Sequence, residues 1–238
     1  MDWLIERPIA HRGLHDENLP ENTLGAFEAA IDAGYAIELD VRETGDGVPV
    51  VYHDPTLRRL TGRDVTVSST NWNDLKSVDI LDSGEGIPRL SDALSTIDGA
   101  VPVLVEVKSQ GRPGRLEATV TARLDAYEGP FAIQSFNPLS VAWFRRHRSE
   151  WPRGQCAGTL QGVTGVNPIE RLILKRLLAD WYSGPDFISY QHDCLPYGPV
   201  SHRRENGVPV LAWTVQSQTD LKRIRAHADN VIFEAIRP

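Results

Sequence analysis

The sequence predicts a (β/α)8 barrel, and two observations support this fold class. Short apolar runs alternate with helix-like stretches along the whole chain. Alternation of this kind is typical of right-handed βαβ units with parallel strands, and eight such units can close a barrel. Polar side chains also collect at the carboxyl ends of the strand candidates, where barrels of this class carry their chemistry. A doubly wound open sheet is the alternative fold.

The individual elements follow from local hydrophobic patterns and from helix start and stop signals. The strand candidates are PIAH, AIELDV with its continuation VPVVYH, VPVLVEVKS, FAIQSF, QCAGTL, DFISYQ, VPVLAWTV and NVIFEA. The helix candidates are NTLGAFEAAIDAG, LSDALSTI with Ser91 as N-cap, RLEATVTARLDAY, PLSVAWFRRHR, IERLILKRLLADWY, GPVSHRRENG and TDLKRIRAHA. The polar stretch from Asp54 to Gly86 contains one weak helix candidate, near residues 73–78.

Length and composition limit the classes of protein to consider. A chain of 238 residues can form one large α/β domain, and no low-complexity tract or linker divides it, so we expect a single domain over residues 1–238. The formal net charge of -7 argues against a broad nucleic-acid-binding surface, which needs many basic side chains. A small anion can still bind in a locally positive pocket. The oligomeric state cannot be read from the sequence.

The chain shows no pattern of export or membrane insertion. It begins MDWLIERPIAHRG, without the basic and apolar regions of a signal peptide, and no apolar run is long enough to span a bilayer. Cys156 and Cys194 do not have the spacing of a metal site or a redox motif, so we expect free thiols. A cytoplasmic protein without stable membrane insertion is therefore predicted.

Candidate site residues stand at the ends of the first two strands. His11 and Arg12 follow the first strand directly, although a basic surface loop would look the same. Glu38 and Asp40 are two apart, so their carboxylates share one face of the second strand. Two carboxylates on an inner face repel unless a cation lies between them. The alternative is a surface edge strand.

Further candidates follow the later strands. They are His53 after VVYH, Glu106 and Lys108 on one face of the third strand, and Trp213 near the end of the seventh. Singly, His53 can be structural, and Glu106 with Lys108 can be a surface ion pair of little energetic value. Together, three carboxylates are hard oxygen ligands that suit Mg²⁺ or Ca²⁺ better than zinc.

Several motifs resemble one enzyme family. The segments are IAHRG, PENTLGAF, AIELDVRETGDGVPVVYHDPTLRRLTG, IPRLSDAL, VLVEVKS, IQSFNP and LAWTV. Together they resemble the glycerophosphodiester phosphodiesterases, in particular the small cytoplasmic bacterial type. The resemblance extends from the first strand to the seventh, and the order HRG, PENT, ELDV, HD is specific. It implies a (β/α)8 TIM barrel with a small insertion after strand two, which agrees with the polar stretch at residues 54–86.

The resemblance also implies roles for single residues. His11 and His53 match the acid/base pair of the family, and Arg12 matches its phosphate contact. Lys108 matches a lysine that faces the phosphate, and Trp213 matches a pocket-wall tryptophan. The ligands of one divalent cation, Mg²⁺ or Ca²⁺, are matched by Glu38, Asp40 and Glu106. The implied reaction is hydrolysis of a small glycerophosphodiester to glycerol 3-phosphate and an alcohol.

Two departures and two alternatives remain. Where the family ends its last strand in an aspartate-containing turn, this chain has Glu234, and the loop after HRG carries an extra acidic pair, Asp16 and Glu17. A phosphodiesterase of the sphingomyelinase D and phospholipase D type shares the fold and the histidine pair, but its third metal ligand is typically aspartate where this chain has Glu106. The second alternative is a non-catalytic barrel that binds a phosphorylated ligand.

Overall fold

The computed structural model describes residues 1–160 and 167–238. The strands are β1 (Ile9–Ala10), β2 (Ala36–Glu43), β3 (Pro49–Val51), β4 (Val103–Val107), β5 (Phe131–Ser135), β6 (Arg153–Ala157), β7 (Phe187–Gln191), β8 (Val210–Val215) and β9 (Asn230–Phe233). The helices are α1 (Trp3–Glu6), α2 (Leu24–Asp32), α3 (Arg58–Thr61), α4 (Trp72–Leu75), α5 (Leu90–Ile97), α6 (Arg115–Leu124), α7 (Pro138–His147), α8 (Pro168–Arg176), α9 (Asp180–Ser183), α10 (Gly198–Glu205) and α11 (Gln218–Ile224). Two 3₁₀ turns cover Val67–Ser69 and His192–Cys194.

The strand order confirms the predicted (β/α)8 barrel. The order is β1-β9-β8-β7-β6-β5-β4-β2-β3, and β1 also pairs with β2. The pair β2–β4 and the pairs from β5–β6 to β8–β9 are parallel, as strands joined by crossover helices must be. The hairpin β2–β3 is antiparallel. The alternative of a doubly wound open sheet is thereby excluded.

Contacts within the chain group the residues into two compact units. One comprises Ala10–Ser109 and Pro113–Phe131, and the other comprises Met1–Ile9, Gln110–Arg112 and Ala132–Pro238. In the first unit α2 packs against α5, and β2 pairs with β3 and β4. In the second unit β6, β7, β8 and β9 form consecutive parallel pairs. The single-domain organisation remains a prediction.

Three elements differ from the expectations. The run VPVVYH does not continue β2 but turns back as β3, because the turn around Gly47 closes with hydrogen bonds between Thr44 and Val48. The N-cap of α5 is Arg89 and not Ser91, since the Asp92 carboxylate accepts the backbone N–H of Arg89 at 3.2 Å. The long helix predicted after β6 ends at Leu177, whose φ of 55° separates α8 from α9.

The stretch 54–86 contributes most of an apolar cluster, although it looks polar in sequence. Short elements α3 and α4 and one 3₁₀ turn lie in it. The cluster consists of the buried residues Val50, Tyr52, Leu57, Leu60, Val67, Leu75, Val78, Ile80 and Ile87. Burial of these side chains holds α3 and β3 in one cluster, because the apolar area removed from water offsets the cost of ordering the loop.

Two predictions outside the site can be assessed. Cys156 and Cys194 are free thiols, as expected. None of the described helices combines the length and the apolarity needed to cross a membrane.

Candidate active site

Three carboxylates converge on the paired strands β2 and β4. Asp40 lies opposite Glu106 in the parallel register, and Glu38 lies two residues earlier on the same face of β2. Their oxygens lie within 4.8 Å of one another. Glu38 and Asp40 are only 1% and 0% exposed, which excludes the alternative of a surface edge strand.

Two cationic side chains approach this carboxylate cluster, and their ion pairs are with Asp40 and Glu106. The ammonium group of Lys108 contacts Glu106 Oε1 and lies 2.8 Å from Asp40 Oδ1. Arg12 Nε lies 3.2 Å from Asp40 Oδ2. Glu38 Oε2 accepts a 3.0 Å hydrogen bond from the backbone N–H of Arg12. Glu38 Oε1 is buried and has no hydrogen-bond partner among the described residues.

Because of this asymmetry, the pKa values of Glu38 and Asp40 shift in opposite directions. Burial, together with the carboxylates of Asp40 and Glu106, raises the pKa of Glu38 well above its usual range. Burial also opposes ionisation of Asp40, but Lys108, His53, Arg12 and His11 together outweigh it and hold the pKa of Asp40 well below its usual range. The pKa of Lys108 is raised, because attraction to Asp40 and Glu106 exceeds the opposing effect of burial.

The three carboxylates fit a divalent cation. Without further positive charge, Glu38 stays a buried carboxyl with an unsatisfied oxygen, which is costly. A cation next to Glu38 would remove that cost and the repulsion by Asp40 and Glu106. The donors are all oxygen atoms, which hard cations such as Mg²⁺ and Ca²⁺ prefer.

The loop after β1 positions Arg12 with an unusual backbone. Arg12 has a φ of 58°, in the left-handed region that only a few per cent of non-glycine residues occupy. Asn22 also has a φ of 58°. Its side chain donates to Asp40 Oδ2 at 2.9 Å and accepts the Asp40 N–H at 3.2 Å. Its own N–H donates to the carbonyl of Arg12 at 2.9 Å. Asn22 therefore joins this loop to β2.

The two histidines stand where the sequence predicts them, at the ends of β1 and just after β3. His53 Nδ1 lies 2.6 Å from Asp54 Oδ1, and the His53 carbonyl accepts a 2.7 Å hydrogen bond from Arg42 Nε. His11 is half-buried, and its charge favours the carboxylate of Asp40. All the predicted site residues except Trp213 lie in the unit formed by Ala10–Ser109 and Pro113–Phe131.

Comparison with known proteins identifies the family. A model of the glycerophosphoryl diester phosphodiesterase family matches residues 11–236. The chain belongs to this family. It is accordingly an enzyme of the phosphoric diester hydrolase class, and the geometry above can be interpreted as that of a phosphodiesterase.

Individual relatives agree with this assignment. The phosphodiesterase is 29% identical over 245 residues to a glycerophosphodiester phosphodiesterase of Caldanaerobacter subterraneus subsp. tengcongensis, covering 95% of this chain and 93% of that protein. It is 31% identical over 151 residues to a glycerophosphodiester phosphodiesterase of Bacillus altitudinis, covering 58% of this chain and 61% of that protein. Among solved structures, an Oleispira antarctica phosphodiesterase in complex with the product sn-glycerol-3-phosphate superposes with a TM-score of 0.81 at 23% identity, covering 97% of this chain and 93% of that one. That likeness supports the barrel fold.

Trp213 lies in the other unit of the phosphodiesterase. Its indole Nε1 donates to the Ser189 carbonyl at 2.9 Å, and its ring meets Phe136 edge to face at 5.5 Å. These contacts fix the indole ring. Its role as a pocket wall remains a prediction.

Sequence reasoning assigned no role to three residues that contact the predicted ones, nor to a fourth that contacts two of those three. They are Glu21, Asn22, Asp54 and Arg59. Glu21 and Asn22 stand inside the PENT motif and Asp54 inside HD, so the motifs carried a signal for three of them. Nothing in a single sequence distinguishes Arg59 from its neighbour Arg58.

Proposed function

We propose that this phosphodiesterase hydrolyses small glycerophosphodiesters to glycerol 3-phosphate and a free alcohol, with one divalent cation, Mg²⁺ or Ca²⁺. The observation that carries the proposal is the buried cluster Glu38, Asp40 and Glu106, in which Glu38 Oε1 has no hydrogen-bond partner in the described part of the chain. We further propose that the enzyme is a single cytoplasmic domain, that it does not bind nucleic acid and that it does not insert stably into membranes.

The proposed cation would be held by Glu38, Asp40 and Glu106. When bound, it would stabilise the negative charge that develops on the phosphoryl oxygens. Arg12 and Lys108 would contribute positive charge next to the same oxygens. Arg12 suits this role because its guanidinium plane matches two phosphate oxygens at once.

The histidines would transfer the protons. His53 Nδ1 faces Asp54 Oδ1 at 2.6 Å, so Nδ1 keeps its proton and Nε2 is the atom that exchanges one with substrate. His11 would serve the oxygen on the other side of the phosphorus. One histidine takes a proton from the nucleophile and the other gives one to the leaving alkoxide.

The test combines metal removal with histidine variants. Exhaustive chelation should abolish hydrolysis of glycerophosphocholine, and Mg²⁺ or Ca²⁺ should restore it, as measured by ³¹P NMR of the products. His11→Ala and His53→Ala should each lose about 10²–10⁴-fold in kcat with a much smaller change in KM, because general acid–base transfer contributes that much. Full activity after chelation contradicts the metal proposal, and near wild-type turnover of either variant assigns that histidine a structural role.

Substrate choice gives a second prediction. We expect the glycerol side to be recognised and the other alcohol to be tolerated, because few contacts should reach the distal group. Choline, ethanolamine and glycerol diesters should therefore differ by no more than about tenfold in kcat/KM, the effect of roughly 1.4 kcal/mol of lost contact. Release of phosphocholine, or a preference for sphingomyelin, contradicts this substrate class and favours the alternative phosphodiesterases.

A further inference from the structure

We propose that Arg59 is a positioning residue that holds both His53 and Arg12 through two carboxylates. The inference rests on the proposed function, because only there do His53 and Arg12 act on substrate. Arg59 itself touches neither of them in the contacts described below, so its effect is transmitted through Asp54 and Glu21.

The guanidinium group of Arg59 bridges two segments that are far apart in sequence. Its Nε donates to Asp54 Oδ2 at 2.6 Å. Its Nη1 donates to Glu21 Oε2 and its Nη2 to Glu21 Oε1, both at 2.7 Å. The pair with Glu21 is therefore bidentate, the arrangement in which arginine is most specific. A single planar group fixes the distance between the loop after β1 and the residues after β3.

The two carboxylates that bind Arg59 also contact residues of the proposed active site. Asp54 Oδ1 lies 2.6 Å from His53 Nδ1. Glu21 Oε1 accepts Arg12 Nη1 at 2.6 Å. The order His53, Asp54, Arg59, Glu21, Arg12 is thus a continuous series of charged hydrogen bonds. Movement of Arg59 would release the orientation of a histidine and of an arginine together.

The charges along this series balance only with Arg59 present. Burial disfavours the ionised form of both Glu21 and Asp54. Arg59 and Arg12 nevertheless lower the pKa of Glu21, and His53 and Arg59 lower the pKa of Asp54, so both are carboxylates. Without Arg59, two carboxylates would share the cation Arg12 and the imidazole of His53. Arg12 would then be drawn toward Glu21 and away from Asp40, from which its Nε is now 3.2 Å.

The apolar cluster of residues 50–87 keeps Arg59 in place. The next residue, Leu60, is 5% exposed and belongs to that cluster. Its carbonyl also accepts the Leu81 N–H at 2.9 Å. The neighbouring Arg58 makes much weaker side-chain contacts, because its side chain is 74% exposed and its ion pair with Asp64 spans 4.0 Å. Arg58 is therefore a matched control for Arg59.

The experiment compares Arg59→Lys with Arg58→Lys at saturating Mg²⁺, on glycerophosphocholine. Lysine keeps the charge but cannot bond both oxygens of Glu21 and Asp54 at once. We expect Arg59→Lys to lose about 10–100-fold in kcat, the effect of removing a partner that orients an active-site histidine, and to show a raised KM. Arg58→Lys should stay within about twofold of wild type in both parameters, since exposed pairs contribute little.

Two more variants separate the two carboxylates. Asp54→Asn should mainly lower kcat, because it releases His53, and Glu21→Gln should mainly raise KM, because it releases Arg12. Arg59→Lys combined with Asp54→Asn should lose less in kcat than the product of the single losses, since residues that act as a unit are not additive. Ethylguanidinium added to Arg59→Ala should restore activity, because the site of the Arg59 head group is partly open to solvent.

The outcomes separate this proposal from the proposed function. If the wild type hydrolyses the diester and Arg59→Lys behaves like Arg58→Lys, the positioning role is wrong and the proposed function stands. A purely structural role would lower the unfolding temperature and the active fraction while leaving KM unchanged and rescue absent, which also overturns the proposal. A wild type without activity on any of the diesters overturns both.

Discussion

At the scale of single residues, a comparison of two glycines shows how tightly the loop after β1 packs. Gly13 lies in that loop, and Gly34, which follows α2, serves as the control. Gly13 and Gly34 have φ angles of 81° and 74°. A Cβ on Gly13 would lie 2.9 Å from backbone atoms of Ala26, whereas a Cβ on Gly34 would meet nothing within 4 Å. Alanine at either position costs about 1–2 kcal/mol for the left-handed backbone. Only Gly13→Ala must also displace the loop that carries Arg12.

We therefore expect Gly13→Ala to lower the free energy of unfolding by at least about 1 kcal/mol more than Gly34→Ala, within the usual range of strain and overpacking effects. Urea denaturation of both variants measures the difference. Gly13→Ala should also lose turnover, while Gly34→Ala should not. Equal losses of stability would show that the loop adapts freely.

The same scale shows what a single sequence can predict of the site. Strand alternation and specific motifs predicted seven charged residues that the structure brings into one compact unit. The contacts of Arg59 could not be predicted, because Glu21 lies 38 residues away and meets it only through the tertiary fold. Nor did the spacing indicate that Lys108 would bind carboxylates of two neighbouring strands.

At the scale of elements, periodicity predicted the order of helices and strands, but it could not predict where the chain reverses or breaks. The apolar run after the Gly45–Gly47 turn looks the same whether it extends β2 or pairs with it. The break at Leu177 has no glycine or proline to signal it. The break is explained by the burial of α9, in which Asp180 and Ser183 are 4% and 0% exposed.

Asp180, at the start of α9, gives a prediction about pH. Burial raises the pKa of Asp180 to about 6, although Arg203 lies 3.3 Å away and opposes the shift. The unfolded carboxyl titrates near pH 4, so the folded state binds more protons between about pH 4 and 6 and stability falls as pH rises through that window. Asp180→Asn should therefore gain unfolding temperature relative to wild type as pH rises from 4 to 7.

Asp220 supplies the control with the opposite sign. Hydrogen bonds from Ser217 and Arg223 lower the pKa of Asp220, so its contribution is present above the unfolded pKa and is lost as pH falls. Asp220→Asn should lose stability at neutral pH and little at low pH. If Asp180→Asn and Asp220→Asn follow the same pH trend in differential scanning calorimetry, the assignment of Asp180 is wrong.

At the scale of the whole molecule, net charge affects how substrates arrive. The formal net charge is -7. Glycerophosphoglycerol is an anion and glycerophosphocholine is a zwitterion, so only the first is repelled at long range. Raising NaCl from about 10 mM to about 150 mM shortens the screening length from roughly 30 Å to roughly 8 Å. The ratio of kcat/KM for the anionic over the zwitterionic diester should therefore increase with salt.

Stopped assays of both diesters at saturating Mg²⁺ measure that ratio. A ratio that decreases with salt would mean that the local field of Arg12 and Lys108 outweighs the net charge of the molecule. A ratio that does not change would assign the approach of substrate to short-range contacts alone.

The location of the charged residues along the chain determines where two related genes can be recombined without mixing these residues. His11, Arg12, Glu38, Asp40, His53, Glu106 and Lys108 all fall within the first 108 residues of the chain. A recombinant made by joining two parental genes just after codon 109 would inherit this entire set from a single parent. The crossover would leave the ion pairs of Lys108 with Asp40 and Glu106 unbroken, while the remaining strands, with Trp213, come from the other parent. Libraries that shuffle at this point can thus vary the rest of the barrel without dividing the proposed active-site residues.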